Sequence, residues 1–286
     1  MAFHSIETLL NAAADKPLWQ AVQEDDCRDR GVERADSQGR METLWRAMVN
    51  SVAQYDCERR SASGLVGGAG GQMEGMDNND TLCGPFIQQV ISTALKTGEC
   101  NACMGCIVAA PTAGASGVMP AVLIPTQQKF SLSDDAMVQA LFVAAGFGQV
   151  IATRASISGA EGGCQAEIGS ASAMAAAALV HLRGGSPQQM AAACAMAIKN
   201  LLGLVCDPVA GLVEVPCVKR NVIGAMNALS CADMALAGIT SAIPCDEVID
   251  AMRSVGDSLP AALRETGMGG LAVTPTGQKV AEGFLK

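Results

Sequence analysis

Three cysteines stand in unlike surroundings: Cys164 in Gly162-Gly163-Cys164-Gln165-Ala166-Glu167, Cys206 in Val205-Cys206-Asp207-Pro208, and Cys217 in Val215-Pro216-Cys217-Val218-Lys219-Arg220-Asn221. They lie 42 and then 11 positions apart, whereas a zinc knuckle needs close cysteine pairs, so zinc is not the expected metal. Thiolates placed this way could hold three corners of an iron–sulfur cluster. Such a cluster normally takes four cysteines, so a three-cysteine site leaves one iron open to water or substrate, where it acts as a Lewis acid. The expectation is a catalytic [4Fe–4S] site rather than an electron wire, with buried inert thiols as the alternative.

Other residues bear on the same chemistry. Two glycine-rich words, Ser63-Gly64-Leu65-Val66-Gly67-Gly68 and Pro111-Thr112-Ala113-Gly114-Ala115-Ser116-Gly117, place backbone N–H groups and the hydroxyls of Ser63, Thr112 and Ser116 where a small carboxylate could be cradled. Lys219, two positions after Cys217, is a candidate for acid–base work if desolvated; an ion pair with Asp207 or Glu214 is the competing reading. Histidine is scarce. Of His4 and His181, the second falls near a helix end, where a solvated role is expected, so no histidine base is offered. The run Cys100-Asn101-Ala102-Cys103-Met104-Gly105-Cys106 copies the first three ligands of a bacterial ferredoxin motif, but position 110 is Ala where the fourth would stand. Its thiols read as small apolar fillers, with a second cluster or electron transfer as the alternative.

These words, together with Gly267-Met268-Gly269-Gly270-Leu271-Ala272, occur in an order that resembles the alpha chain of iron–sulfur-dependent L-serine dehydratase, over nearly the whole sequence. The resemblance implies a lyase that deaminates L-serine to pyruvate and ammonia, with a [4Fe–4S] cluster on Cys164, Cys206 and Cys217. It implies that 101–117 is an extended active-site loop. The substrate carboxylate would then be held by Ser63, Gly64, Gly67, Gly68, Asn101, Thr112, Ala113, Gly114 and Ser116, and Lys219 or a residue of another chain would take the Cα proton. The Ser- and His-rich signature of the family's beta portion is missing here, which implies a separate beta chain in a heterodimer or higher assembly. No cysteine follows Cys245, so a terminal thiol blocking the open iron is not expected. An L-cysteine desulfidase with the same cluster logic and an iron–sulfur redox protein are the rival functions.

Composition bounds the partners. A net charge of −9 and a pI of about 4.7 argue against nucleic acid and anionic membrane, both of which reward clustered Lys and Arg. The first residues lack the charged, apolar and cleavable regions of a signal peptide. With 12 cysteines in a chain of 286 residues, too long for a typical disulfide scaffold, a reducing cytoplasm is expected.

The elements that must position these groups read as helices. Hydrophobic residues make up 50% of the chain but aromatics only 3%, so the core must be built from small aliphatic side chains, which favour closely packed helices over a sandwich. The expected fold is all-α, a compact single-domain helical bundle over 1–286. Residues 1–60 are expected as two peripheral helices and 61–277 as the catalytic core, with flexible loops carrying the glycine-rich words and the cluster held at helix ends. Periodicity and caps predict helices over 80–97, from Ser133 to about 154, over 164–182, from Ser186 to about 202, over 217–239, and from Pro244 onward. The uncharged run 136–153 reads as a buried core helix rather than a membrane span, and 100–128 is broken by Pro111, Pro120 and Pro125. Helix N-termini at Cys164 and Cys217 are expected to lower the thiol pKa.

Overall fold

The computed structural model describes residues 3–284; Met1, Ala2, Leu285 and Lys286, the outermost residues of the two terminal readings, lie outside the described residues. Within them the chain is all-α. Its helices are α1 (Ile6–Asn11), α2 (Leu18–Arg30), α3 (Arg34–Ala53), α4 (Ala69–Glu74), α5 (Gly84–Ala102), α6 (Val118–Phe130) and α7 (Asp134–Arg154), followed by α8 (Gly159–Gly162), α9 (Ser170–Leu182), α10 (Pro187–Asn200), α11 (Cys217–Leu236), α12 (Cys245–Ser258) and α13 (Pro275–Phe284). The only β-type pairing among the described residues is one isolated bridge between Cys206 and Arg264.

The centre of the bundle is α9, wrapped by α6, α7, α10 and α11. Its alanines Ala171, Ala173, Ala175, Ala176, Ala177 and Ala178 are all fully buried, and side chains this small let neighbouring helices approach on every side. Helix α7 is capped as expected, with the Ser133 hydroxyl accepting the Ala136 N–H at 3.2 Å. It is long and apolar enough to cross a membrane, yet two-thirds of its apolar window is buried inside the bundle, which makes it a core helix. Helix α10 carries the capping box read from Ser186 and Gln189.

Three helices rather than two precede residue 60, because Pro17 caps α2 at one end and Gly31, at φ +63, closes it at the other. They are not merely superficial. Leu9, Trp45 and Met48 are buried in the core, and the Trp45 Nε1–H donates to Asp134 at 3.0 Å, so α3 is pinned to the N-terminus of α7. Helix α5 outruns its prediction to Ala102, so Asn101 is helical and only 103–117 is loop. Pro125 lies inside α6, where it forfeits one helical hydrogen bond without ending the helix.

The largest departure lies at Cys164. Instead of one α-helix over 164–182, the chain makes the short α8, a turn at Gly163 with φ +74, and a π-helical turn over Gln165–Gly169 before α9 begins. Such turns widen the helix by one residue and concentrate at functional sites.

Candidate active site

Gln165 fixes the first cysteine. Buried to 1% exposure, it accepts the Gly203 N–H at 2.8 Å, donates to the Met252 carbonyl at 2.9 Å, and its own N–H donates to the Leu204 carbonyl at 2.9 Å. The residue directly after Cys164 is thereby stitched to the loop 201–216 and to α12.

That loop carries Cys206, and a distant segment holds it down. The Cys206 N–H donates to the Leu263 carbonyl at 2.9 Å and the Cys206 carbonyl accepts from Glu265 at 2.8 Å. Next along, Asp207 accepts the Leu271 N–H at 2.9 Å and pairs with Arg220 at 2.9 Å, while Arg220 also donates to the Val205 carbonyl at 2.7 Å. Gly270, at φ +58, runs so close to Asp207 that a Cβ there would fall 2.7 Å from the Asp207 Cβ. The Gly269-Gly270-Leu271 word is therefore a clamp on the cysteine loop.

Cys217 opens α11, and one turn later Asn221 ties it to the second glycine-rich word. Its Nδ2 donates to the Gly114 carbonyl at 2.8 Å and to the Cys217 carbonyl at 2.9 Å, while Oδ1 accepts the Gly117 N–H at 2.8 Å. Residues 111–117 thus lie against the cysteine region. Glu167, from the π turn, faces the same space: a Cβ on Gly159 would fall 2.9 Å from the Cys206 Sγ and 2.7 Å from Glu167 Oε2, and one on Gly114 would fall 3.4 Å from Glu167 Oε1.

Cys164, Cys206 and Cys217 are all buried, with exposures of 2%, 2% and 8%. Burial pushes the Cys164 thiol up to about 11, against the opposing pull of the Arg220 guanidinium, and pushes Cys217 up to about 12, with Cys164 adding to it. Cys206 is raised too, by burial first and then by Cys164 and Glu167. The expected lowering by helix N-termini is overturned, because desolvation of a buried thiolate outweighs the dipole. Cys206 and Cys217 both feel Cys164, and Cys206 feels Cys217 as well, so the three share one electrostatic neighbourhood.

Among the described residues no group of three His, Cys, Asp or Glu could hold a single metal ion. A cluster makes a different demand, because each cysteine binds a different iron and the donors stand further apart than those of one ion. Three soft, buried donors with a guanidinium beside one of them fit an iron–sulfur group by donor chemistry. Their raised pKa values mean that loading it would displace protons.

The two glycine-rich words fare differently. Thr112 and Ser116 carry buried hydroxyl oxygens with no hydrogen bond of proper geometry, and the Thr112 hydroxyl lies near enough to Glu167 to oppose the rise that burial imposes on that carboxyl. Ala113 is exposed beside them. In the first word the donors are already taken. Ser63 donates to the buried Glu214, as does Ser61 at 2.8 Å. The N–H groups of Gly67, Ala69 and Gly70 donate to the buried Glu99 at 3.2, 2.9 and 3.1 Å. Gly64 and Gly68 shape this turn with φ +73 and +85. Asn101 sits at the end of α5, where its carbonyl accepts the Met104 N–H at 3.0 Å.

Lys219 is exposed, without the desolvation that the acid–base reading called for, and Asp207 is paired with Arg220 instead. His181 is half-buried rather than solvated, and burial lowers its pKa. Sequence reasoning gave no role to Gln165, Glu167, Arg220 or Asn221, although all four lie within four positions of a singled-out cysteine. Polar residues that close to candidate ligands were the available signal.

The sequence profile of the family described as "Serine dehydratase alpha chain" matches residues 13–272. The chain is 58% identical over 221 residues to the "Probable L-serine dehydratase, alpha chain" of Bacillus subtilis (strain 168), covering 77% of this chain and 74% of that one. It is 61% identical over 192 residues to the protein of the same description from Latilactobacillus sakei, covering 67% and 92%. It is also 51% identical over 210 residues to the "L-serine dehydratase, alpha chain" of Peptoniphilus asaccharolyticus, covering 73% and 72%.

Proposed function

The chain belongs to the serine dehydratase alpha-chain family, and from that premise we propose that it is the alpha chain of a cytoplasmic lyase that converts L-serine to pyruvate and ammonia, with a [4Fe–4S] cluster held by Cys164, Cys206 and Cys217. The observation that carries this reading is the meeting of three buried thiols from separate elements beside the loop 111–117. When bound, the cluster would supply an open iron as Lewis acid for the departing hydroxyl.

The chain's own residues supply the setting. Arg220, locked by Asp207 and the Val205 carbonyl, offsets negative charge at Cys164. Thr112 and Ser116 offer unclaimed hydroxyls to the substrate carboxylate, in a loop that Asn221 holds in place. Ser63, Gly64, Gly67 and Gly68 bound the site through Glu214 and Glu99, with Asn101 at the neighbouring helix end. Loss of the Cα proton requires a base. Lys219, exposed two residues from Cys217, meets that need only where another chain covers it; otherwise the base belongs to that chain. The resulting aminoacrylate tautomerises to an imine and hydrolyses in water.

A separate beta chain fits the surface. Leu65, Met268, Leu271 and Val273 are exposed large apolar residues on the two segments that border the site, the kind of patch that marks an interface. The relatives' description as alpha chains supports the same partner.

The test is anaerobic purification with and without a co-expressed beta chain, followed by iron counting and parallel assays of pyruvate from L-serine and sulfide from L-cysteine. Iron in both preparations, with pyruvate formation only when the beta chain is present, supports the reading. An iron-free chain, or sulfide release as the faster reaction, overturns it.

A further inference from the structure

The three cysteines of the ferredoxin-like run are unused by the site described above, and their geometry is specific. Helix α5 ends in a paired cap in which the Gly105 N–H donates to the Cys100 carbonyl at 2.7 Å and the Met104 N–H to the Asn101 carbonyl at 3.0 Å, with Met104 in the left-handed conformation at φ +60. This cap folds residues 105–106 back over Cys100. The Cys100 thiol points at the Cys106 carbonyl, 3.7 Å away, and it packs on Gly105 so closely that a Cβ there would collide with the sulfur and stand 2.9 Å from the Cys100 carbonyl oxygen. Glycine at 105 is what admits the thiol to that position.

The three cysteines differ in access. Cys106 is exposed, Cys100 half-buried and Cys103 buried. Cys103 faces Glu99 and Glu214, which disfavour its thiolate after burial has done so. Cys100 and Cys103 stand three apart at the end of α5, where Cβ atoms are about 5–6 Å apart, wider than the roughly 3.5–4.5 Å of a closed disulfide, so closing that pair requires the helix end to shift. Arg59 lies near enough to both Cys100 and Cys103 to favour their thiolates against burial, but only Cys103 has Glu99 and Glu214 working against it.

We propose that Cys100 and Cys106 are a peroxide-responsive thiol pair that closes to a disulfide across the end of α5, leaving Cys103 out. Cys106 meets the oxidant: its thiolate attacks hydrogen peroxide, an S–O bond forms, the O–O bond breaks, and the departing hydroxide takes up the proton that the Cys106 thiol gave up and leaves as water. The Cys100 thiolate then attacks the Cys106 sulfur; the S–S bond forms, the S–O bond breaks, and the departing hydroxide takes up the proton from Cys100 as a second water. Two thiols lose two electrons in all and one peroxide becomes two waters. The closed ring stiffens the turn that leads into residues 111–117.

The experiment uses the full chain, purified anaerobically, exposed to graded hydrogen peroxide, acid-quenched, alkylated with iodoacetamide and digested with trypsin. All three cysteines fall in the tryptic peptide 97–129, so the readout is which of them takes the label and does not depend on activity or on any cluster. The expected result is a peptide lighter by two hydrogens with label on Cys103 alone. Cys103→Ser keeps the link, Cys106→Ser loses it and labels both remaining thiols, and Cys100→Ser leaves Cys106 as a sulfenic acid trapped by dimedone. Label on all three cysteines after peroxide, a link that includes Cys103, or a link that survives Cys106→Ser overturns the proposal.

Discussion

Asn221 holds Gly117 by accepting its N–H at 2.8 Å, so the last residue of the 111–117 loop is fixed to the first full turn of the helix that Cys217 opens. A Cβ on Gly117 would fall 2.9 Å from that same Oδ1 and 2.8 Å from the Ala94 carbonyl, so the contact is tight from both sides. Asn221→Ala removes three hydrogen bonds and strands the Gly117 N–H and the Gly114 carbonyl. A loss of about 2–4 kcal/mol is expected, read by urea unfolding, together with weaker serine turnover. An unchanged midpoint would mean that the loop is held elsewhere.

Two sets of three cysteines give a direct contrast. Single Ser variants of Cys164, Cys206 and Cys217 should each lose the visible absorbance of a reconstituted cluster and the serine dehydration of the enzyme together. The same change at Cys100, Cys103 or Cys106 should retain both. Absorbance spectra and iron counts check this, and retention of the cluster in Cys206→Ser would reverse the assignment.

The metal-free chain should lose stability in alkali. Burial raises Cys164 to about 11, Cys217 to about 12 and Cys231 to about 11, from 9.0 for a free thiol. Above pH 9 the unfolded chain sheds thiol protons that the folded chain keeps, so the folded state binds more protons and stability falls as pH rises. The stability is fully present below 9 and is lost progressively toward 11–12. Urea midpoints of the metal-free protein between pH 7 and 11 should show this decline, and the triple Ala variant at Cys164, Cys206 and Cys217 should flatten it.

Glu99 is a carboxylate 2% exposed that accepts three backbone N–H groups and, at 2.5 Å, the Tyr55 hydroxyl. In Glu99→Gln the amide nitrogen turns donors against donors. About 2–3 kcal/mol should be lost, with faster hydrogen exchange across 61–75. Tyr55→Phe removes one donor and should cost less; equal losses would place the stability in the tyrosine instead.

The helices were largely legible because their signals are local. Ser133 and Ser186 announce their own N-caps, and the alanine run of α9 announces burial on all faces. The three thiols each lie in a distinctive short word, and the structure buries all three. What could not be read depends on partners distant in the chain. Lys219 and Arg220 are adjacent cations, and only the position of Asp207 decides which one turns into the site. The N–H groups of Gly67, Ala69 and Gly70 look free in sequence; Glu99, some thirty positions on, occupies them. The π turn at 165–169 has no periodicity of its own, and its register rests on Gln165 reaching residues 203 and 252.

The clamp of residues 263–271 on the Cys206 loop also sets an order of events during synthesis. Cys206 and Asp207 acquire their backbone partners only when Leu263, Glu265 and Leu271 arrive, close to the end of the sequence and after every helix of the central core has been made. Contacts of such long sequence separation form late. The thiol site is therefore completed after the helices of the apolar centre, α7, α9 and α10, have been made, so the nascent chain reaches shape first and competence afterwards.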